Sequence, residues 1–310
     1  MKISAETIFD TRDTPWDGLG TKIEDAPCSE EALKKAGLDW NVVQELIFTG
    51  KMELINGCKV NIRDTDRKPL GMVSDKYKVV QNRDAFAFTD NLLGEGVRYE
   101  TAGSLQNGKR VWLLARMPHD YIIFEDEFIP YLLFFNTHDG SGAVKVALTP
   151  IRVACKNALN FALKTARRSW SMVHTGNIMG KISEAEQTLL MAKTYMDRLE
   201  QELETLQKIK LTDTAVQDYI EKLLPLKDDS TPRKTKNVKL MQEDMKQRYF
   251  DAPDLQGMEK NAYRFLNAVS DFATHASPLR ESENHKENLF LKTVVGNPLI
   301  DSAYQMVKTA

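Results

Sequence analysis

The chain has 310 residues, 42 Lys and Arg against 44 Asp and Glu, a formal charge of −2 and a hydrophobic content of 42%. These are the proportions of an ordinary soluble globular protein with one large domain or two modest ones, and they exclude a fibrous or disordered chain. Three distant cysteines, Cys28, Cys58 and Cys155, form no CxxC pair, which argues against a disulfide framework or a zinc site and for buried free thiols.

The opening residues are acidic in part and lack an apolar h-region, and no apolar run approaches the ~20 residues that span a membrane. A cytoplasmic protein is expected. Residues 1–28 are rich in turn formers, with Gly18 and Gly20 flanking Leu19 just after Pro15 and Trp16. Ser29 reads as the N-cap of a short helix, with Glu30 and Glu31 in its first turn and Gly37 at its stop. From about 42 to 80 the pattern is of strands. Val60 and Ile62 alternate with polar neighbours, a turn spans Asp64 to Lys68, and Leu70 to Val73 follow. Asn82 is placed to cap a helix to about Leu93.

The region 97–150 carries the clearest β pattern. Asn107-Gly108 lies between Thr101–Leu105 and Arg110–Arg116, a strong hairpin signal. Tyr121–Phe124, Ile129–Phe135 and Ala143–Leu148 continue an antiparallel meander. From Ile151 to about Trp170 the spacing of Val153, Ala154, Ala158, Phe161, Ala162 and Leu163 predicts a helix. Lys156, Asn160, Lys164 and Arg168 would then form one basic stripe. After Gly180 the reading turns helical. Ser183 to Glu186 is a capping box before a helix to about Lys208. Further helices are expected at 214–224, roughly 237–250, 257–275 and after Pro298. The predicted fold class is α+β: an antiparallel β-meander followed by a basic helix, then a mostly helical C-terminal region. The predicted domains are 1–180 and 181–310.

The charge is distributed unevenly. Between Asp139 and Glu184 lie 44 residues with no acidic side chain and seven basic ones. A basic segment in an acidic body is a footprint of polyanion binding. The candidate nucleic-acid contacts are Lys145, Arg152, Lys156, Lys164, Arg167 and Arg168, with Trp170 available to stack a base. Arg233, Lys234 and Lys236 form a second basic cluster, read as a solvated loop.

Other chemistry is poorly supplied. The glycine pairs lack a third glycine or a following Lys-Ser/Thr, so no dinucleotide or P-loop fingerprint is present. His119-Asp120 and His138-Asp139 could serve a metal hydrolase only if they converged. Cys155 lies near Arg152 and Lys156, which favour a thiolate, but its apolar neighbours favour a core thiol. No catalytic residue, metal or cofactor is predicted.

Three stretches carry a family resemblance: PWDGLG from Pro15 to Gly20, GMVSDKYKVVQN from Gly71 to Asn82, and TPIRVACKNAL from Thr149 to Leu159. With Ser169-Trp170 and His174-Thr175 they resemble the family of phage/plasmid-like proteins that carry a domain of unknown function. The resemblance spans roughly residues 10–200 and implies a phage or mobile-element origin, but no activity. The order of strands and basic helix is also similar to that of ring-forming single-strand annealing proteins, a likeness of fold only. The resulting expectation is a non-catalytic, homo-oligomeric single-stranded-DNA-binding protein of recombination or DNA maintenance. The alternative is a protein-interaction module, such as a phage inhibitor or assembly factor, marked by an exposed apolar stripe on the 183–208 helix.

Overall fold

A computed structural model describes residues 19–87, 89–93, 96–159, 161–163, 166–172, 174, 188–227, 230–279 and 285–309. The architecture is α+β, with antiparallel sheets in the N-terminal half and helices after them. The predicted capping box at Ser183 lies outside the described residues, as do Trp16 and Gly18.

The first elements among the described residues are β1 (Thr21–Lys22) and the short helix α1 (Ser29–Lys35). A three-stranded antiparallel sheet follows in the order β2 (Val42–Phe48), β3 (Leu54–Arg63), β4 (Pro69–Ser74). The helix predicted from Asn82 is two short pieces, α2 (Asn82–Phe86) and α3 (Thr89–Leu93).

The large sheet is built from β5 (Arg98–Leu105), β6 (Arg110–Arg116), β8 (Asp126–Thr137) and β9 (Val144–Arg152) in sequence order, with β1 on its outer side. The Asn107-Gly108 hairpin forms as its sequence predicts. Asn107 takes φ 62 and Gly108 φ 92, conformations these residues adopt at little cost. The β7 (Tyr121–Ile123) to β8 hairpin turns on Phe124 and Glu125, both at positive φ, as a two-residue I′ turn requires.

The predicted helix over 151–170 is not what forms. β9 runs through Pro150 to Arg152, a turn holds Lys156 at φ 53, and β10 (Asn157–Ala158) pairs back on Arg152 and Ile151. β11 (Ser169–Met172) then pairs with Val144–Ala147 of β9. The reason is tertiary. Long β8 offers partners down to Phe128, opposite Arg152, and ladder bonds there outweigh local helical spacing. Pro130 and Pro150 face each other and break nothing, because each turns its carbonyl outward, to the N–H of Met117 and of Leu159. The basic stripe at four-residue spacing therefore does not exist on a helix.

Side chains alternate across the large sheet. Val111, Leu113, Leu132, Phe134, Val146 and Leu148 join the main core, which continues without a break into the helices through Tyr195, Leu199, Phe265 and Val269. The opposite face holds Trp112, Leu114, Leu133 and Ala147, closed by Phe290 of α8 (His285–Val295), whose ring lies 4.8 Å from Trp112. Gly20 is part of this packing. A Cβ there would lie 2.7 Å from the Trp112 ring and 2.7 Å from the Ala102 carbonyl.

The helical part comprises α4 (Thr188–Lys208), α5 (Asp213–Leu223), α6 (Pro232–Asp251), α7 (Ala262–His275), α8 and α9 (Pro298–Lys308). Local chemistry sets the starts. Thr212, Thr231, Asn261 and Asn297 each accept a first-turn N–H, and Pro232 and Pro298 occupy first helical positions. α7 is buried on nearly every side, against β10, α4, α6 and α9. The apolar row of α4, from Ala192 through Tyr195, Met196, Leu199 and Leu203 to Leu206, is core rather than surface.

Candidate functional site

The predicted nucleic-acid contacts do not share one surface. Lys145 on β9 is half-buried, and burial followed by the nearby Arg168 holds its pKa below the ordinary value. Lys156 and Arg167 are exposed. Lys164 lies outside the described residues. Trp170, on β11 opposite Val146, is half-buried against the main core.

Two members are structural. Arg168 is buried and donates from Nη1 to the Leu148 carbonyl at 3.0 Å. Arg152 is 2% exposed. Its Nη2 meets Asp126 Oδ1 at 2.7 Å and its Nη1 meets Asp254 Oδ2 at 2.7 Å. Neither guanidinium is turned to solvent, so neither can grip a phosphate as expected. The acidic partners of Arg152 come from outside the basic window: Asp126 from the start of β8 and Asp254 from the turn after α6.

Arg152 belongs to a larger buried polar joint between sheet and helices. Tyr263 Oη of α7 donates to Asp126 Oδ2 at 2.6 Å. Arg248 of α6 binds Asp271 of α7 at 2.6 Å and Asp244 at 2.9 Å. His275 Nε2 lies 3.1 Å from the Cys155 carbonyl. Cys155 is buried, and burial pushes its thiol up to about 12 despite the neighbouring Arg152. It is a buried core thiol whose surroundings disfavour the thiolate.

A second joint fastens the small sheet to the large one. Asn61 Nδ2 donates to the His138 carbonyl at 2.7 Å, and Tyr77 Oη donates to the Thr137 carbonyl at 2.7 Å. Asn136 Nδ2 donates to the Val80 carbonyl at 2.9 Å. Asn82 gives its amide nitrogen to the Leu38 carbonyl, leaving its Oδ1 to accept from His138 Nε2 at 2.8 Å. His174 stacks on Tyr77 with centroids 4.6 Å apart, and its Nδ1 donates to the Lys78 carbonyl. His138 Nδ1 is buried and meets no partner among the described residues. Burial lowers the His138 pKa to about 3, with His174 adding to the effect and Asp139 opposing it.

The His-Asp pairs do not converge. His138 follows the end of β8 that pairs with Arg110, whereas Asp120 binds Arg116 at the other end of β6, opposite Tyr131. Among the described residues no three His, Cys, Asp or Glu side chains come together as metal ligands.

The feature that the sequence reading missed is the surface of the three-stranded sheet. Leu46 is 56% exposed, Phe48 49%, Met52 79% and Met72 67%, and Val43, Leu54 and Ile55 are exposed beside them. Scattered apolar residues are normal on a surface, but Leu46, Phe48 and Leu54, which Phe48 faces across the pair, gather at the far end of the β2–β3 hairpin, whereas Met72, in line with Val60 and Glu45, lies on the other face. The available signal was the segment from Val42 to Phe48, VVQELIF, which is apolar at both strand parities. One parity would suffice for a sheet covered on one face. Lys59 lies across from Leu46, and Arg67 pairs with Glu45.

Taken together, the large antiparallel sheet, its helical cover and two buried polar joints define an α+β protein whose distinctive residues serve its internal seams. The chain belongs to the family defined by a domain of unknown function (DUF932), whose model matches residues 69–293. Among curated proteins and among solved structures, none matches it. The match takes in both motifs that meet at the joints, Gly71–Asn82 and Thr149–Leu159, and extends through the helical region.

Proposed function

We propose that this is a non-catalytic binding protein that engages other protein chains through its exposed three-stranded sheet. The observation that carries this reading is the exposed apolar end of the β2–β3 hairpin, formed by Leu46, Phe48 and Leu54 with Met52 and Ile55 at the turn. Aliphatic side chains gain free energy when another apolar surface covers them and gain little from a phosphate backbone. The phage or mobile-element setting that the resemblance implies is part of the same proposal, as is a role without a cofactor.

Single-stranded-DNA binding is the second reading. Exposed Lys156 and Arg167, with half-buried Lys145 on the adjoining strand, favour it. It is the weaker one because Arg152 and Arg168 are engaged inside the fold and Trp40, Trp112 and Trp170 all pack into cores. Stacking platforms need exposed rings.

One experiment separates the two. A photoreactive residue in place of Leu46 in the full chain, activated in cells, should yield protein adducts that Phe48→Asp abolishes. Adducts to nucleic acid, or none at all, would overturn the reading. In parallel, labelled single-stranded and duplex DNA should show no tight, salt-dependent binding; finding it would reinstate the DNA reading.

A further inference from the structure

The β2–β3 hairpin closes through a three-residue loop, Gly50-Lys51-Met52, between Thr49 and Glu53. The main-chain donors of the turn are used within it. The Thr49 N–H donates to the Glu53 carbonyl at 2.8 Å, and the Met52 N–H to the Thr49 carbonyl at 2.9 Å. Thr49 Oγ1 accepts the N–H groups of Lys51 and Glu53 at 3.3 and 3.2 Å. A loop of this length ends on a residue in the left-handed region, and glycine is the residue that adopts it without steric cost.

In this hairpin that place is taken by Met52, at φ 62. The glycine of the loop, Gly50, stands two residues earlier and outside the left-handed region. A residue with a Cβ is strained at such a φ, and strain of this kind collects where a side chain is put to use. Packing within the chain does not offset it at Met52. Phe124, also at positive φ, has its ring against Tyr263 with centroids 6.1 Å apart, whereas the Met52 residue is 79% exposed.

We propose that Met52 is the anchor of the protein-binding surface and enters an apolar pocket on a folded partner protein. This rests on the protein-binding reading above and names what the partner offers. The N–H groups of Thr49, Lys51, Met52 and Glu53 already have acceptors in the turn, so the partner recognises side chains here and does not add a strand. An unbranched thioether fills a pocket of irregular shape. Phe48 and Leu54, exposed and paired where the strands end, extend the apolar surface behind it. Lys51 and Glu53, on either side of Met52, carry opposite charges, which suits a pocket rim of mixed polarity and not a polyanion or an anionic lipid surface.

The test uses the full chain with the photoreactive residue at Leu46, read for protein adducts in cells, together with the thermal unfolding midpoint of each purified variant. Met52→Gly should lower the adduct yield by about tenfold or more, as loss of an anchor does. It should also raise the midpoint by about 2 °C, because the strain leaves with the side chain. Met52→Leu keeps the apolar bulk and should keep the adducts. Binding lost while stability rises sets an anchor apart from a structural residue. Met52→Gly with a full adduct yield, or with a lowered midpoint, overturns the proposal, as do adducts to lipid. If Phe48→Asp abolishes the protein adducts and Met52→Gly does not, the protein-binding reading stands and only the anchor falls. If the parent chain gives no protein adducts, both fall.

Discussion

Arg152 is the residue whose chemistry is most exposed to test. It is buried between Asp126 and Asp254, with Tyr263 sharing Asp126. Removing the guanidinium leaves two carboxylates without their cation in a site already taken from water. Arg152→Ala should therefore cost about 3–5 kcal/mol, well above a surface substitution. Urea unfolding checks this, and a loss under 1 kcal/mol would show that the pair is solvated. His138 provides a second test, through pH. Its folded pKa is depressed to about 3 from an ordinary 6.5. The unfolded chain takes up the proton below about 6.5 and the folded chain does not. The stabilisation is complete above 6.5 and is lost as pH falls toward 3, by about 1.4 kcal/mol per unit. Asp139 and His174 face the same ring and act in opposite senses. Unfolding midpoints between pH 7 and 4 should fall more steeply for the wild type than for His138→Asn. Parallel slopes would place the proton elsewhere.

The joints act between elements. α7 is the element on which the sheet and the helices meet, and its start is fixed by Asn261, whose Oδ1 accepts the Arg264 N–H at 2.9 Å. Asn261 is itself buried. Asn261→Ala leaves first-turn N–H groups without an acceptor or water, so it should cost about 1–2 kcal/mol. Thr231→Ala at the exposed start of α6 should cost less, and comparing the two in one thermal unfolding series separates burial from capping. Much of this was readable in the chain. The Asn-Gly turn and the β5 to β9 meander follow from local residue chemistry, whereas the caps expected at Ser29 and Asn82 are not made: α1 and α2 start after Cys28 and Gln81 without a side-chain cap bond, and Asn82 is drawn instead to the Leu38 carbonyl. The 151–170 segment was misread because Ala154, Ala158 and Ala162 fit a helix locally, whereas the competing partner, β8, lies many residues away in sequence. The basic stripe fell with that helix. Nothing near Arg152 in sequence announces Asp254, and so nothing announces that its charge is already satisfied.

For the whole molecule, the proposed reading makes the basic segment a seam and the small sheet the working surface. Lys156→Glu with Arg167→Glu should leave stability within about 0.5 kcal/mol and leave oligomeric state unchanged, since both residues are exposed. A large loss of DNA affinity in that double variant would contradict the proposal. Phe48→Asp should instead abolish the protein adducts and leave the two polar joints intact, with an unchanged unfolding midpoint. By itself the sequence determined the α+β class, the hairpins and the unusual charge of residues 140–183, because turns and composition are properties of near neighbours. The tertiary structure decided that Arg152 and Arg168 are internal, that α4's apolar row is core, and that Leu46 and Phe48 of β2 are exposed among the described residues. Burial depends on which distant strand or helix arrives to cover a residue, and only the assembled sheets and helices determine that.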